Sequence, residues 1–132
     1  METMVLSGRQ KFDLDLAKGK LGEHALEHFL TNAKVEVKTE VKYWKRTGNI
    51  AIEIAHRNKP SGITNTEADY WCHILLNEDN TVAMMFLVPI EVMRSITEYH
   101  KEKNGTRNLG DGYLSKCVLI PIKDLTDSLV IK

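Results

Sequence analysis

Glu36 and Lys38 stand two residues apart in the stretch Lys34-Val35-Glu36-Val37-Lys38-Thr39-Glu40, and Glu53 stands between Ala51 and Ala55 in residues 49–56. In an extended chain, side chains two apart share a face. If the two stretches pair as a hairpin, the register that keeps Ile50, Ile52 and Ile54 in a core also sets Glu53 beside Glu36 and Lys38. Directly opposed residues of an antiparallel pair share a face, and a one-residue slip would expose the isoleucines. Val35 and Val37 then point to the core side. Two carboxylates and a lysine on one patch suit hydrolysis of a phosphodiester. The carboxylates hold a hard cation such as Mg²⁺ or Mn²⁺, which polarises a phosphoryl oxygen and activates a bound water. The lysine meets the negative charge that develops. Ala51 and Ala55 leave room beside Glu53. The same pattern also fits a solvated hairpin face, whose cross-strand ion pairs are worth about 0.2–1 kcal/mol each. Whether these charges meet in a cleft or face water decides between the two.

The elements that must position them follow from periodicity. Residues 16–33 carry Leu21, Ala25, Leu26, Phe29, Leu30 and Ala33 on one helical face, with Asp15 as the cap. Residues 34–41 alternate as a strand, 42–48 form a basic turn punctuated by Gly48-Asn49, and 49–56 alternate again. Pro60-Ser61-Gly62 breaks the chain, and Thr64 or Asn65 caps a short helical turn. Residues 70–76 and 81–88 are apolar strands joined by Asn77-Glu78-Asp79-Asn80, and Pro89 opens a helix to residue 103. A glycine-rich loop over 104–112 precedes a last strand over 116–122. The order predicts one α/β domain over residues 1–132, with a loose N-terminus over 1–10. Its mixed central sheet has about five strands flanked by helices.

Composition sets the outer limits. The 132 residues hold 18 basic and 18 acidic side chains, so an overall basic nucleic-acid binder is disfavoured. The charge is uneven, however. Residues 34–60 carry seven Lys or Arg against three Glu, while residues 61–80 carry four acids and no Lys or Arg. Lys42, Lys45 and Arg46, interleaved with Tyr43 and Trp44, are suited to phosphates and base stacking. The alternative is a solvated turn whose Trp44 packs on the sheet. Lys59 and Ser61 bring a cation and a hydroxyl toward a phosphate, or simply flank a turn. Cys72 and Cys117 lie in apolar runs and read as core residues of a reducing compartment. His24, His28, His56, His73 and His100 have no metal-motif spacing. No secretory segment or membrane span is legible, which predicts a soluble, cytoplasmic protein.

The segments GKLGEHALEHFL, EVKTE, TGNIAIEI and KPSGITNTEADYW, spread over residues 16–76, resemble the PD-(D/E)XK nuclease superfamily. The resemblance is to its small phage-type and Holliday-junction-resolvase-like members. It implies a restriction-endonuclease-like fold and a divalent-metal-dependent DNA endonuclease, acting on branched DNA. It also implies a homodimer, phage-encoded and at work inside a bacterial host. On that resemblance Glu36 takes the first acidic position and Glu53 the second, and Lys38 supplies the lysine from the neighbouring strand. Glu23 matches the first-helix glutamate that reaches the metal, directly or through water; Glu27 lies further onto the polar face. The chain departs from the pattern twice. No Asp stands on a strand before Glu36-Val37-Lys38, and Ala55 occupies the place of the expected lysine. Another alignment makes Glu36 and Lys38 the acid-x-Lys pair and takes the preceding acid from Asp13 or Asp15. The alternative function is a catalytically inactive nuclease-fold protein that binds nucleic acid or a protein partner.

Overall fold

The computed structural model describes residues 16–126, so Asp13, Asp15 and the N-terminal stretch over 1–10 lie outside the described residues. The chain divides into two compact units, residues 1–34 and 35–132. In the first, Leu16–Thr31 forms helix α1. Its end is drawn in by the Thr31 hydroxyl, which donates to the Glu27 carbonyl at 2.8 Å. Leu21 and Leu30 on its apolar stripe are exposed.

The second unit is an α/β assembly of two sheets and helix α3 (Ile90–Asn104). Strand β1 (Val35–Val41) leads through the five-residue helix α2 (Tyr43–Thr47) into β2 (Asn49–His56) and the two-residue β3 (Lys59–Pro60). A 3-10 turn over Gly62–Thr64 precedes β4 (Tyr70–Leu76) and β5 (Val82–Pro89). After α3 come β6 (Arg107–Leu109) and β7 (Ser115–Pro121). The predicted basic turn is thus a short helix, and the glycine-rich loop contains β6. No helix of the described residues is long and apolar enough to cross a membrane.

Strand pairing differs from the single five-stranded sheet and the β1–β2 hairpin that local sequence suggests. Strand β1 pairs in parallel with β4, and β5 joins β4 antiparallel, giving a three-stranded sheet in the order β1-β4-β5. Strand β2 belongs to a four-stranded antiparallel sheet in the order β3-β2-β7-β6. The reason is apolar matching at long range. Ile50 and Ile52 lie opposite Ile120 and Val118 of β7, and all four are buried. Adding Trp71, Leu75, Ile63, Ile90, Met93 and Ile96 makes one core, supplied by both sheets and α3. Burial of such side chains, at roughly 1.5–3 kcal/mol each, outweighs the advantage of a local turn.

The valine face of β1 is also corrected. Opposite Glu36, Lys38 and Glu40 on β4 stand Trp71, His73 and Leu75, the buried residues of that strand's core-facing side. Laterally paired residues share a face, so Glu36 and Glu40, both half-buried, lie on the core side of β1, and Lys38 on the same side is exposed. Val37 lies on the other side and is 54% exposed.

Candidate functional site

Glu40, the third charge of the alternating series, is the most constrained of the three. Its Oε2 accepts the backbone N–H of Ala51 at 3.0 Å and faces His73 Nε2 at 2.5 Å. The Ala51 N–H lies on the stretch of β2 that β3 leaves uncovered, since β3 pairs only with Ala55 and His56. A carboxylate therefore takes the place of a neighbouring strand and ties the two sheets together. On the other side of the imidazole, Trp71 Nε1 donates to His73 Nδ1 at 3.1 Å. An indole N–H only donates, so Nδ1 is the acceptor nitrogen and the ring proton sits on Nε2, aimed at Glu40. Trp71 and His73 are both buried, and Glu40 keeps 13% of its side chain exposed.

Glu53 is set by an irregularity in β2. The register against β7 shifts between Glu53 and Ala55, leaving Ile54 as the extra residue of a bulge. The Pro60-Ser61-Gly62 segment then folds back on it. The Ser61 N–H donates to the Ile54 carbonyl at 3.1 Å, and the Ser61 hydroxyl donates to Glu53 Oε2 at 3.0 Å. Gly62 has φ +58°, and a Cβ there would sit 2.1 Å from the Glu53 carbonyl oxygen, so only glycine fits this close approach.

Cys117 is the β7 partner of Glu53. Its thiol is pushed up to about 11, first by burial, then by the charges of Glu53 and Glu40, while Lys38 acts in the opposite direction. Glu40 reaches β2 at Ala51, two residues from Glu53, and Lys38 lies on the Glu40 side of β1. Cys117 stays a protonated thiol at neutral pH and is no nucleophile.

Of the expected set, Lys38 and Glu53 lie on strands of different sheets rather than across a hairpin. Glu36 stands two residues along the same face of β1 and is not among the charges acting on Cys117. Glu23 lies on α1 in the first unit, half-buried. Lys42, Lys45 and Arg46 are exposed around α2, and Lys42 takes a left-handed φ of 74° at the entry to that helix. The Arg46 guanidinium lies 4.8 Å over the exposed Tyr43 ring. Trp44 instead packs against the core and donates from Nε1 to the Leu76 carbonyl at 2.9 Å, so its role is structural. Lys59 is exposed, whereas the Ser61 hydroxyl is engaged by Glu53.

Sequence reasoning passed over Glu40, His73 and Trp71 as site residues. The available signal was parity. Glu40 falls on the face of Glu36 and Lys38, and Trp71 and His73 are two apart in an apolar strand. Comparison with known proteins gives no match to a family model, to a curated protein or to a solved structure.

Proposed function

We propose that the chain is a divalent-metal-dependent DNA endonuclease with a restriction-endonuclease-like fold, working through Lys38, Glu40 and Glu53. What supports the reading is that Glu40 of one sheet accepts the Ala51 N–H, two residues from Glu53 in the other sheet, with Lys38 on the Glu40 side of β1. The donor set suits a hard cation. Glu40 and Glu53 each commit Oε2 to protein donors, and Oε1 of each has no hydrogen bond among the described residues. Mg²⁺ is commonly held by one or two carboxylates and keeps several waters. Among the described residues no three His, Cys, Asp or Glu side chains are grouped as a metal cage, and Glu40 and Glu53 would hold the ion with water completing its shell. Mg²⁺ or Mn²⁺ there would polarise a phosphoryl oxygen and make a bound water more acidic.

The chain's own groups do the rest. Ala51 and His73 fix the Glu40 carboxylate, and Ser61 fixes that of Glu53, so neither has to reorganise when a phosphate arrives. Lys38 meets the charge developing on the phosphate oxygens. Glu36, on the same face of β1, is a further acid within the same strand. Lys42, Lys45 and Arg46 hold the backbone of the nucleic acid, and the exposed Tyr43 ring offers a stacking surface.

The test is incubation of the full chain with branched, nicked, single-stranded and linear DNA in Mg²⁺, Mn²⁺ or EDTA. Metal-dependent cleavage that disappears in Glu53→Gln is expected. Failure to cut any DNA form with either metal would overturn the nuclease reading. A second reading, binding without hydrolysis, is favoured by Ala55 at the lysine position of the resemblance. Salt-sensitive DNA binding without cleavage would assign it.

A further inference from the structure

The strands β3, β2, β7 and β6 end together beside two loops with exposed, strained residues. At this end His56 of β2 pairs with Lys59 of β3 and with Ser115 of β7, and Lys116 of β7 pairs with Asn108 of β6. The turn Arg57-Asn58 joins β2 to β3, and the 3-10 turn Asp111–Tyr113 leads into β7. The two loops meet where the Arg57 N–H donates to the Leu114 carbonyl at 3.0 Å. Arg57 and Tyr113 both take left-handed backbone, at φ 50° and 56°. That region suits Gly, Asn or Asp and is uncommon for a long or aromatic side chain. Neither side chain recovers the cost by packing. Arg57 is exposed, and Tyr113 is 73% exposed, with no ring or cation partner among the described residues. Charge gathers at the same end. Residues 56–60 and 107–116 carry Arg57, Lys59, Arg107 and Lys116 against one acid, Asp111, and all four cations are exposed.

We infer that this end of the four-stranded sheet holds a single-stranded segment of nucleic acid, with an unpaired base on the Tyr113 ring and Arg57, Lys59, Arg107 and Lys116 on the flanking phosphates. A strained residue that packs against nothing is retained for what it meets, and a bare ring beside cations meets a base on a phosphate chain. Stacking on such a ring needs a base that has left its own stack, so an intact duplex does not use it. Tyr43, at the opposite end of β2, already has the Arg46 guanidinium over its ring. Along β2, His56 stands three residues, roughly 10 Å, from Glu53, so a strand held here leads toward the candidate site. The inference deepens the nucleic-acid part of the proposed function and stands without the hydrolysis.

Titration of the full chain with short single-stranded DNA and RNA, blunt duplex DNA and heparin tests it, with a fluorescent adenine analogue in the strands to report stacking. Asn suits left-handed backbone, so Tyr113→Asn and Arg57→Asn should melt no lower than the unmodified chain. Tyr113→Asn should weaken single-strand binding roughly 5- to 100-fold, abolish the quench of the analogue and leave duplex binding unchanged, while Tyr113→Phe keeps both binding and quench. Arg57→Asn should lower the salt slope of single-strand binding by about 0.7. A Tyr113→Asn chain that binds single strands as tightly as the unmodified one overturns the inference, and does so even where DNA is cut, which leaves the nuclease reading standing. A Tyr113→Asn chain that melts lower or fails to fold also overturns it, since the ring then has a packing role. So does heparin bound as tightly as the single strands with no quench of the analogue, which would mark a surface for an acidic protein. Quenched single-strand binding lost in Tyr113→Asn, with no DNA form cut, supports the inference while the nuclease reading fails.

Discussion

Replacing Glu40 separates its two jobs, holding the sheets together and carrying charge. Glu40→Ala removes the acceptor for the Ala51 N–H and for His73 Nε2–H, and both donors stay where water has little access. An unsatisfied buried donor costs about 1–3 kcal/mol. Two of them, partly relieved by local adjustment, cost about 2–5 kcal/mol, a large share of the roughly 5–15 kcal/mol that holds a domain together. At this chain length about 1 kcal/mol corresponds to roughly 3–5 °C in Tm, so Glu40→Ala should melt about 10–20 °C lower. Glu40→Gln keeps one oxygen in place to accept both donors and loses only the charge, at a cost of about 1 kcal/mol. Urea and thermal unfolding of both variants measure this. On DNA, Glu40→Gln at a temperature where it is fully folded should lose metal-dependent cleavage by about 10²–10³ in rate. A Glu40→Ala protein as stable as the unmodified chain would refute the sheet-to-sheet clamp. A Glu40→Gln protein that is stable and cleaves at the full rate would refute the catalytic part while leaving the clamp intact.

Three further outcomes follow from single contacts. Lys38→Ala should lower cleavage by about 10²–10³ with DNA affinity nearly unchanged, whereas Lys42→Ala with Arg46→Ala should weaken binding and reduce its salt dependence by about two phosphate contacts; nicking kinetics and salt-titrated binding separate the two. His100 is buried and neither ring nitrogen has a hydrogen-bond partner among the described residues, so His100→Leu should raise stability by about 1–2 kcal/mol in denaturant titrations, and a loss would refute the unsatisfied-imidazole argument. The Cys117 thiol is raised from 9.0 to about 11 in the folded chain, so above pH 9 the unfolded state loses its proton first and stability falls as pH rises toward 11. Relative to Cys117→Ala, the unmodified chain should lose roughly 2–3 kcal/mol over that window, and parallel pH profiles for the two proteins would refute the burial argument.

Much of the local structure is legible in the sequence because it rests on local signals. Alternation of Ile50, Ile52 and Ile54 with smaller or charged residues marks β2, and the uncharged runs on either side of Asn77-Glu78-Asp79-Asn80 mark β4 and β5. That turn closes on itself, with the Asn80 N–H on the Asn77 carbonyl and the Thr81 hydroxyl on Asp79. Pro89 stands at the head of α3, and at Gly62 the Glu53 backbone comes within 2.1 Å of a would-be Cβ. Pairing is different in kind. Val35 meets Tyr70 across 35 positions and Ile50 meets Ile120 across 70. Nothing in a window of ten residues distinguishes these partners from a hairpin through residues 42–48. A short connection between two alternating strands favours local pairing only when the strands have no better apolar partner elsewhere.

That single non-local choice also decides which glutamate matters. In a β1–β2 hairpin, Glu36 and Glu53 would be the natural carboxylate pair, with Glu40 near the turn and in water. Pairing β1 with β4 instead puts Glu40 beside His73 and opens the edge of β2 at Ala51, so Glu40 turns inward to satisfy both. Its structural duty accounts for one carboxylate oxygen and for the oriented imidazole behind it. It does not account for Lys38 on the same face, for Glu53 held by Ser61 at a bulge, or for the second oxygen that each carboxylate leaves open. A fold that needed only the clamp would be served nearly as well by a glutamine, at the cost of about 1 kcal/mol for the lost charge. On the proposed reading, two acids fixed from behind and a lysine on the Glu40 side of β1 serve charge chemistry on a phosphate. For that reason the comparison of glutamine with alanine at position 40 bears on function as well as on stability.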